Sequence, residues 1–112
     1  MVESFDNLSM KVELTISCRN LKDLDTFSKS DPQCKVYEKI GTKWVKRGRT
    51  ERIQNNLNPD FKTPFVMNYF FEKAQELKFV VIDGDGDNDD NDKKDTIGKL
   101  KVTMGSIMGS RA

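Results

Sequence analysis

Short clusters of aromatic and β-branched residues recur along this chain, and runs of Asn, Asp, Gly and Pro separate them. The first is strictly alternating: Val12, Leu14, Ile16 and Cys18 interleave with Lys11, Glu13, Thr15 and Ser17. Period two is the mark of a half-buried strand with one wet face. Lys35 to Ile40 reads as a second strand, and Gly41-Thr42 as the hairpin turn into a third, Lys43 to Arg47. Thr50 to Ile53 extends that strand or starts a short fourth, until Asn55-Asn56-Leu57-Asn58-Pro59 breaks it. Phe65 to Phe70 and Leu77 to Asp83 are the next strands, with one helical turn expected over Glu72 to Glu76, and Ile97 to Met104 gives the last. Short strands at such spacing, each followed by turn residues, imply an all-β antiparallel sandwich. The length, 112 residues, suits one domain, and residues 1–9 read as a flexible lead-in to a domain spanning 10–112.

The acidic residues are not spread evenly over this framework. Seven of eighteen fall between Ile82 and Asp95, directly after an apolar strand. Carboxylates crowded on one loop repel one another unless a hard cation sits among them, and calcium is a hard cation that favours oxygen ligands at adjustable geometry. The plain alternative is a solvated acidic loop. A second polar loop, Arg19 to Pro32, carries Asp25 and Asp31. If the strands before both loops run the same way, carboxylates sixty positions apart in sequence meet at one end of the sandwich. Residues 35 to 52 hold seven Lys or Arg against two Glu, so a net charge of +1 conceals a basic surface and an acidic tip.

Other chemistries find less support. With no His, the commonest general base and zinc ligand is missing. Asp83, Asp85 and Asp87 match the opening of an EF-hand loop, but Asn88 stands where its Gly belongs, Lys94 replaces the bidentate Glu, and the flanking segment reads as strand. An aspartate pair working as acid and base would need a cleft that nothing in the sequence supplies, so no enzymatic activity is expected. Nucleic acid is not an expected partner of a nearly neutral chain without a nucleic-acid motif. Cys18 and Cys34 form no CxxC and lie in or beside apolar strands, as buried reduced thiols do. The first twenty residues have no continuous apolar stretch, so neither a secretory signal nor a membrane span is expected and synthesis should finish in the cytosol.

The order of the motifs resembles a C2 domain, the calcium- and phospholipid-binding β-sandwich. The likeness rests on Ser30-Asp31-Pro32-Gln33-Cys34-Lys35-Val36-Tyr37, on Asn56-Leu57-Asn58-Pro59-Asp60-Phe61, and on Asp83-Gly84-Asp85 with Asp95-Thr96-Ile97-Gly98. Asn20 to Pro32, Gly48-Arg49-Thr50-Glu51 and Tyr69-Phe70-Phe71-Glu72 are most similar to the first C2 domain of a copine. The resemblance implies a Greek-key sandwich and calcium ligation by Asp25, Asp31, Asp83, Asp85 and Asp95, with the carbonyls of Leu24 and Gly84 as supplements. In the long third loop Asp89, Asp90 or Asp92 competes for the fifth place. It further implies attachment to anionic phospholipid. Phe27 at the tip of the first loop and Lys35, Lys39, Lys43, Lys46, Arg47 and Arg49 are the residues read as headgroup contacts, the basic ones reading equally as an ordinary wet strand face. A cytoplasmic protein moving to the plasma membrane on calcium binding, with protein targets of its own and a monomeric complete domain, is the expected setting. The other reading is a calcium-independent protein-interaction module with a solvated acidic rim. Because the chain stops at Ala112, shortly after a strand that this fold normally follows with two more, the sandwich is expected to lack its last two strands.

Overall fold

The computed structural model describes residues 9–22, 30–71, 73–83 and 96–109. Six strands occur among them: β1 (Ser9–Leu14), β2 (Pro32–Ile40), β3 (Lys43–Arg49), β4 (Phe65–Phe70), β5 (Glu76–Asp83) and β6 (Thr96–Thr103). All pairings are antiparallel, in one sheet of order β1-β4 and one of order β3-β2-β5-β6. This is the sandwich that the alternating clusters imply. At the β2–β3 turn, Gly41 takes a left-handed φ of 64°, which glycine reaches without a Cβ penalty, and Ile40 pairs with Lys43 across the two-residue loop.

The core lies between the sheets. Cys34, Phe61 and Val81 form its centre, with Ile16, Cys18, Leu21, Ile53, Phe79 and Ile97 packed around them. Both thiols are free, and burial, reinforced by the neighbouring Cys18, pushes Cys34 up to about 12 against a hydrogen bond from the Val80 backbone that lowers it.

Several elements differ from their sequence outlines. β1 ends at Leu14, and Ser17 makes only an isolated bridge to Asp60. The facing segment holds Pro59 and Pro64, which have no N–H to donate, so contact continues as single bonds such as Phe61 N–H to the Ile16 carbonyl. Thr50 to Ile53 is not a strand; its ends tie to β2 through Thr50 N–H on the Cys34 carbonyl and Ile53 N–H on the Pro32 carbonyl. The helical turn expected before β5 is not found in the described residues of that stretch, where the Gln75 side chain instead donates to the Asn68 carbonyl and accepts from Phe70 N–H. After β6 comes an unforeseen short helix, α1 (Met104–Gly109), anchored by the fully buried Met104. Thr103 caps it, its Oγ1 accepting from Ser106 N–H at 3.1 Å. Thr103 followed three positions later by Ser106 was the available signal, masked by two glycines.

Candidate functional site at one end of the sandwich

Both Asp-bearing loops leave the four-stranded sheet at the same end. Pro32 at the start of β2 lies opposite Asp83 at the end of β5, and Ile82 lies opposite Thr96, so the described residues that flank 23–29 and 84–95 share one end of the sheet. The first loop is closed at its base by the Ser30 hydroxyl, which donates to the Lys22 carbonyl at 3.2 Å. Each of its ends is also clamped to the middle loop: Leu21 N–H bonds the Leu57 carbonyl, Asn20 N–H bonds Asn58 Oδ1, and Asn56 N–H bonds the Ser30 carbonyl.

Within this frame Asp31 and Asp83 are brought into direct contact. Asp83 Oδ1 accepts from Asp31 N–H at 2.8 Å, and Asp31 Oδ1 accepts from Asn55 N–H at 2.8 Å. Asn55 can point its amide there because it adopts a left-handed φ of 50°, a conformation Asn tolerates better than most residues. Two backbone amides therefore fix the orientation of two half-buried carboxylates that are 52 positions apart in sequence. Of the expected ligand set, Asp25, Asp85, Asp95 and the carbonyls of Leu24 and Gly84 lie outside the described residues, as do Asp89, Asp90, Asp92 and Phe27.

The basic residues divide differently from the sequence expectation. Residues directly opposite in an antiparallel ladder share a face. Tyr37 opposes both Lys46 and Lys78, Lys78 opposes Lys101, and Lys39 opposes Trp44, so these six stand on one face of the larger sheet. Arg49, opposite Lys35, and Lys99, opposite Val80, belong to the same face. Lys35 itself is 0% exposed, and a fully buried ammonium is not available to a headgroup. Arg47 and Lys43 also leave the set. A register shift at Val36/Tyr37 inserts Arg47 as the extra residue of β3, and its guanidinium meets Glu38 Oε1 at 2.9 Å; Lys43 opposes Ile40 on the other side of the sheet. Sequence reasoning missed Lys78, Lys99 and Lys101, although lysine at every second position over 99–101 was a signal. Trp44 organises the face: Lys78 Nζ lies 4.8 Å and Lys101 Nζ 5.9 Å from its ring centroid, while Lys78 lies 5.1 Å from the Tyr37 ring.

Residues 10–112 match the family described as C2 domain. The chain belongs to the C2 domain family. The chain is 51% identical over 105 residues to Copine-E of Dictyostelium discoideum, a match that covers 88% of this chain and 17% of that protein. This C2 domain thus spans about a sixth of the relative's length. Among solved structures it is similar to BON1-C2B, with a TM-score of 0.71, 25% identity and coverage of 93% of this chain and 70% of that one. It also shares its fold with the paired C2 domains of Extended-Synaptotagmin 2, described as calcium bound, at a TM-score of 0.62, 22% identity and coverage of 92% and 36%. The likeness to copine C2 domains and the antiparallel sandwich expected from sequence are borne out. A C2 domain is a binding module, and among the described residues no helix is long and apolar enough to cross a membrane.

Proposed function

We propose that this C2 domain is a calcium-dependent phospholipid-binding module that attaches the protein carrying it to anionic membranes, without catalysing a reaction. The observation that carries this reading is the Asp83 carboxylate accepting from the Asp31 backbone N–H at 2.8 Å, which ties the ends of the two Asp-bearing loops to one place on the sheet. The donor set fits calcium: it consists of hard oxygens alone and comes from two loops with a common base. Asp25, Asp31, Asp83, Asp85 and Asp95 would hold the ion, with the carbonyls of Leu24 and Gly84. When bound, calcium supplies positive charge at the tip and coordination positions that lipid phosphates can complete.

The chain's own residues set the rest of the mechanism. Unneutralised, the aspartates of the tip repel an anionic leaflet, whatever the basic face contributes. Once that repulsion is removed, Lys39, Lys46, Arg49, Lys78, Lys99 and Lys101 can attract the headgroups at about 1 kcal/mol per basic residue near the surface. Phe27 adds an apolar contact. The setting is a cytosolic protein recruited to the cytoplasmic face of the plasma membrane.

Calorimetric titration with calcium tests the ligand assignment. Asp83→Asn keeps the acceptor for Asp31 N–H and removes one charge, so its calcium affinity is expected to fall at least about tenfold, the equivalent of about 1.4 kcal/mol. Unchanged affinity would remove Asp83 from the site. No calcium heat from the parent domain would favour the calcium-independent protein-interaction module.

A further inference from the structure

The segment from Thr50 to Asn56 contributes no residue to the expected ligand set, yet it is fastened along its approach to the candidate site. Thr50 N–H bonds the Cys34 carbonyl, Ile53 N–H the Pro32 carbonyl and Asn56 N–H the Ser30 carbonyl, while the Gln33 side chain donates to the Thr50 carbonyl. These bonds run along residues 30–34 and bring Asn55 beside Asp31. There the backbone of Asn55 turns left-handed, at φ 50°, and its N–H meets Asp31 Oδ1 at 2.8 Å. Gly is at ease in that region and Asn tolerates it, whereas a β-branched residue there is an outlier. An uncommon backbone conformation that its surroundings hold in place points to a local role.

The bond does not stand alone. Asp31 N–H is itself bonded to Asp83 Oδ1 at 2.8 Å, so amide-to-carboxylate bonds link Asn55 to Asp31 and Asp31 to Asp83, across three separate segments. Each carboxylate has one oxygen engaged by an amide and keeps the other for a cation. Without the bond from Asn55 the Asp31 side chain is free to rotate, and the order it loses has to be restored when an ion binds.

We propose that Asn55 is a positioning residue for calcium: its left-handed backbone holds the Asp31 carboxylate in the orientation that receives the ion, so a loop without a ligand sets the affinity of the site. The inference rests on the calcium reading of Asp31 and Asp83.

Calcium calorimetry of the 112-residue chain substituted at residue 55, with amide hydrogen exchange in chelator, tests the proposal. In chelator the Asn55 amide should exchange more slowly than that of its exposed neighbour Gln54, and Asp31→Ala should abolish the difference. Asn55→Val, which resists a positive φ, should weaken calcium binding about 10- to 100-fold, the range typical of lost support behind a metal ligand, and Asn55→Ala less. Asn55→Gly, which keeps both the backbone conformation and the N–H, should stay within about threefold of the parent. Gly48→Ala, which crowds Phe65 and destabilises the sandwich, should leave calcium affinity unchanged and so separates aim from a general loss of stability. Thermal unfolding checks that each variant is folded, and Asn55→Ala carries the comparison should Asn55→Val fail to fold. Equal exchange of the two amides, calcium affinity indifferent to residue 55, or a loss matched by Gly48→Ala would each overturn the positioning role and leave the calcium reading standing. No calcium heat from the parent would overturn both.

Discussion

Gly48 faces Phe65 across the sandwich so closely that an added Cβ would lie 2.7 Å from the ring. Phe65 is 5% exposed and has no room to retreat. Gly48→Ala should therefore cost about 1–3 kcal/mol through overpacking, read as a lower urea midpoint at unchanged slope. At Glu51, burial raises the carboxyl, but hydrogen bonds from the backbone of Lys62, of Glu51 itself and of Thr63 outweigh it and bring the group down to about 2. A carboxyl lowered on folding stabilises above its ordinary value of 4.5 and loses that contribution as pH falls through the folded value. Glu51→Gln is expected to lower stability above pH 4.5 and to flatten the fall between 4.5 and about 2, measured by thermal unfolding at stepped pH. Parallel curves for parent and variant would show that the loop does not depend on this charge.

At the scale of elements, pairing decides which charges act together. Lys78→Glu with Lys101→Glu should weaken sedimentation with anionic vesicles by at least about 2 kcal/mol, taking about 1 kcal/mol per basic residue, while Lys43→Glu on the opposite side should leave it nearly unchanged. Equal losses would mean that the lipid does not distinguish the faces. The strands themselves were legible: Phe65 to Phe70 has the same limits in sequence and structure, because an aromatic, β-branched run bounded by Pro64 admits little else. The split of the basic residues was not, since composition counts Lys43, Arg47 and Lys46 alike and only register assigns them to faces. Nor does sequence reveal the burial of Lys35 or the bulge that hands Arg47 to Glu38. Helix α1 was hidden for a related reason, as its weak propensity is overridden by burial of Met104 and a cap from Thr103. Of the candidate site, the approach of Asp31 and Asp83 was expected only on the condition that the strands before their loops run the same way, and the role of Asn55 in aiming the carboxylate was not expected at all.

The whole molecule combines an acidic end with a basic sheet face on a nearly neutral chain, which makes its affinity for an anionic surface a balance of opposed charges. Attachment should be mainly electrostatic and therefore fall steeply as salt shortens the screening length. Phe27 can add at most about 2 kcal/mol for a fully buried ring. Under the proposed mechanism, calcium turns the acidic end from repelling the membrane to holding it. Co-sedimentation of the chain with phosphatidylserine vesicles, in calcium and then in excess chelator, measures this switch. Binding that appears with calcium, disappears with chelator and weakens with salt is the result expected; binding indifferent to calcium, or resistant to salt and lost in Phe27→Ala, would contradict it.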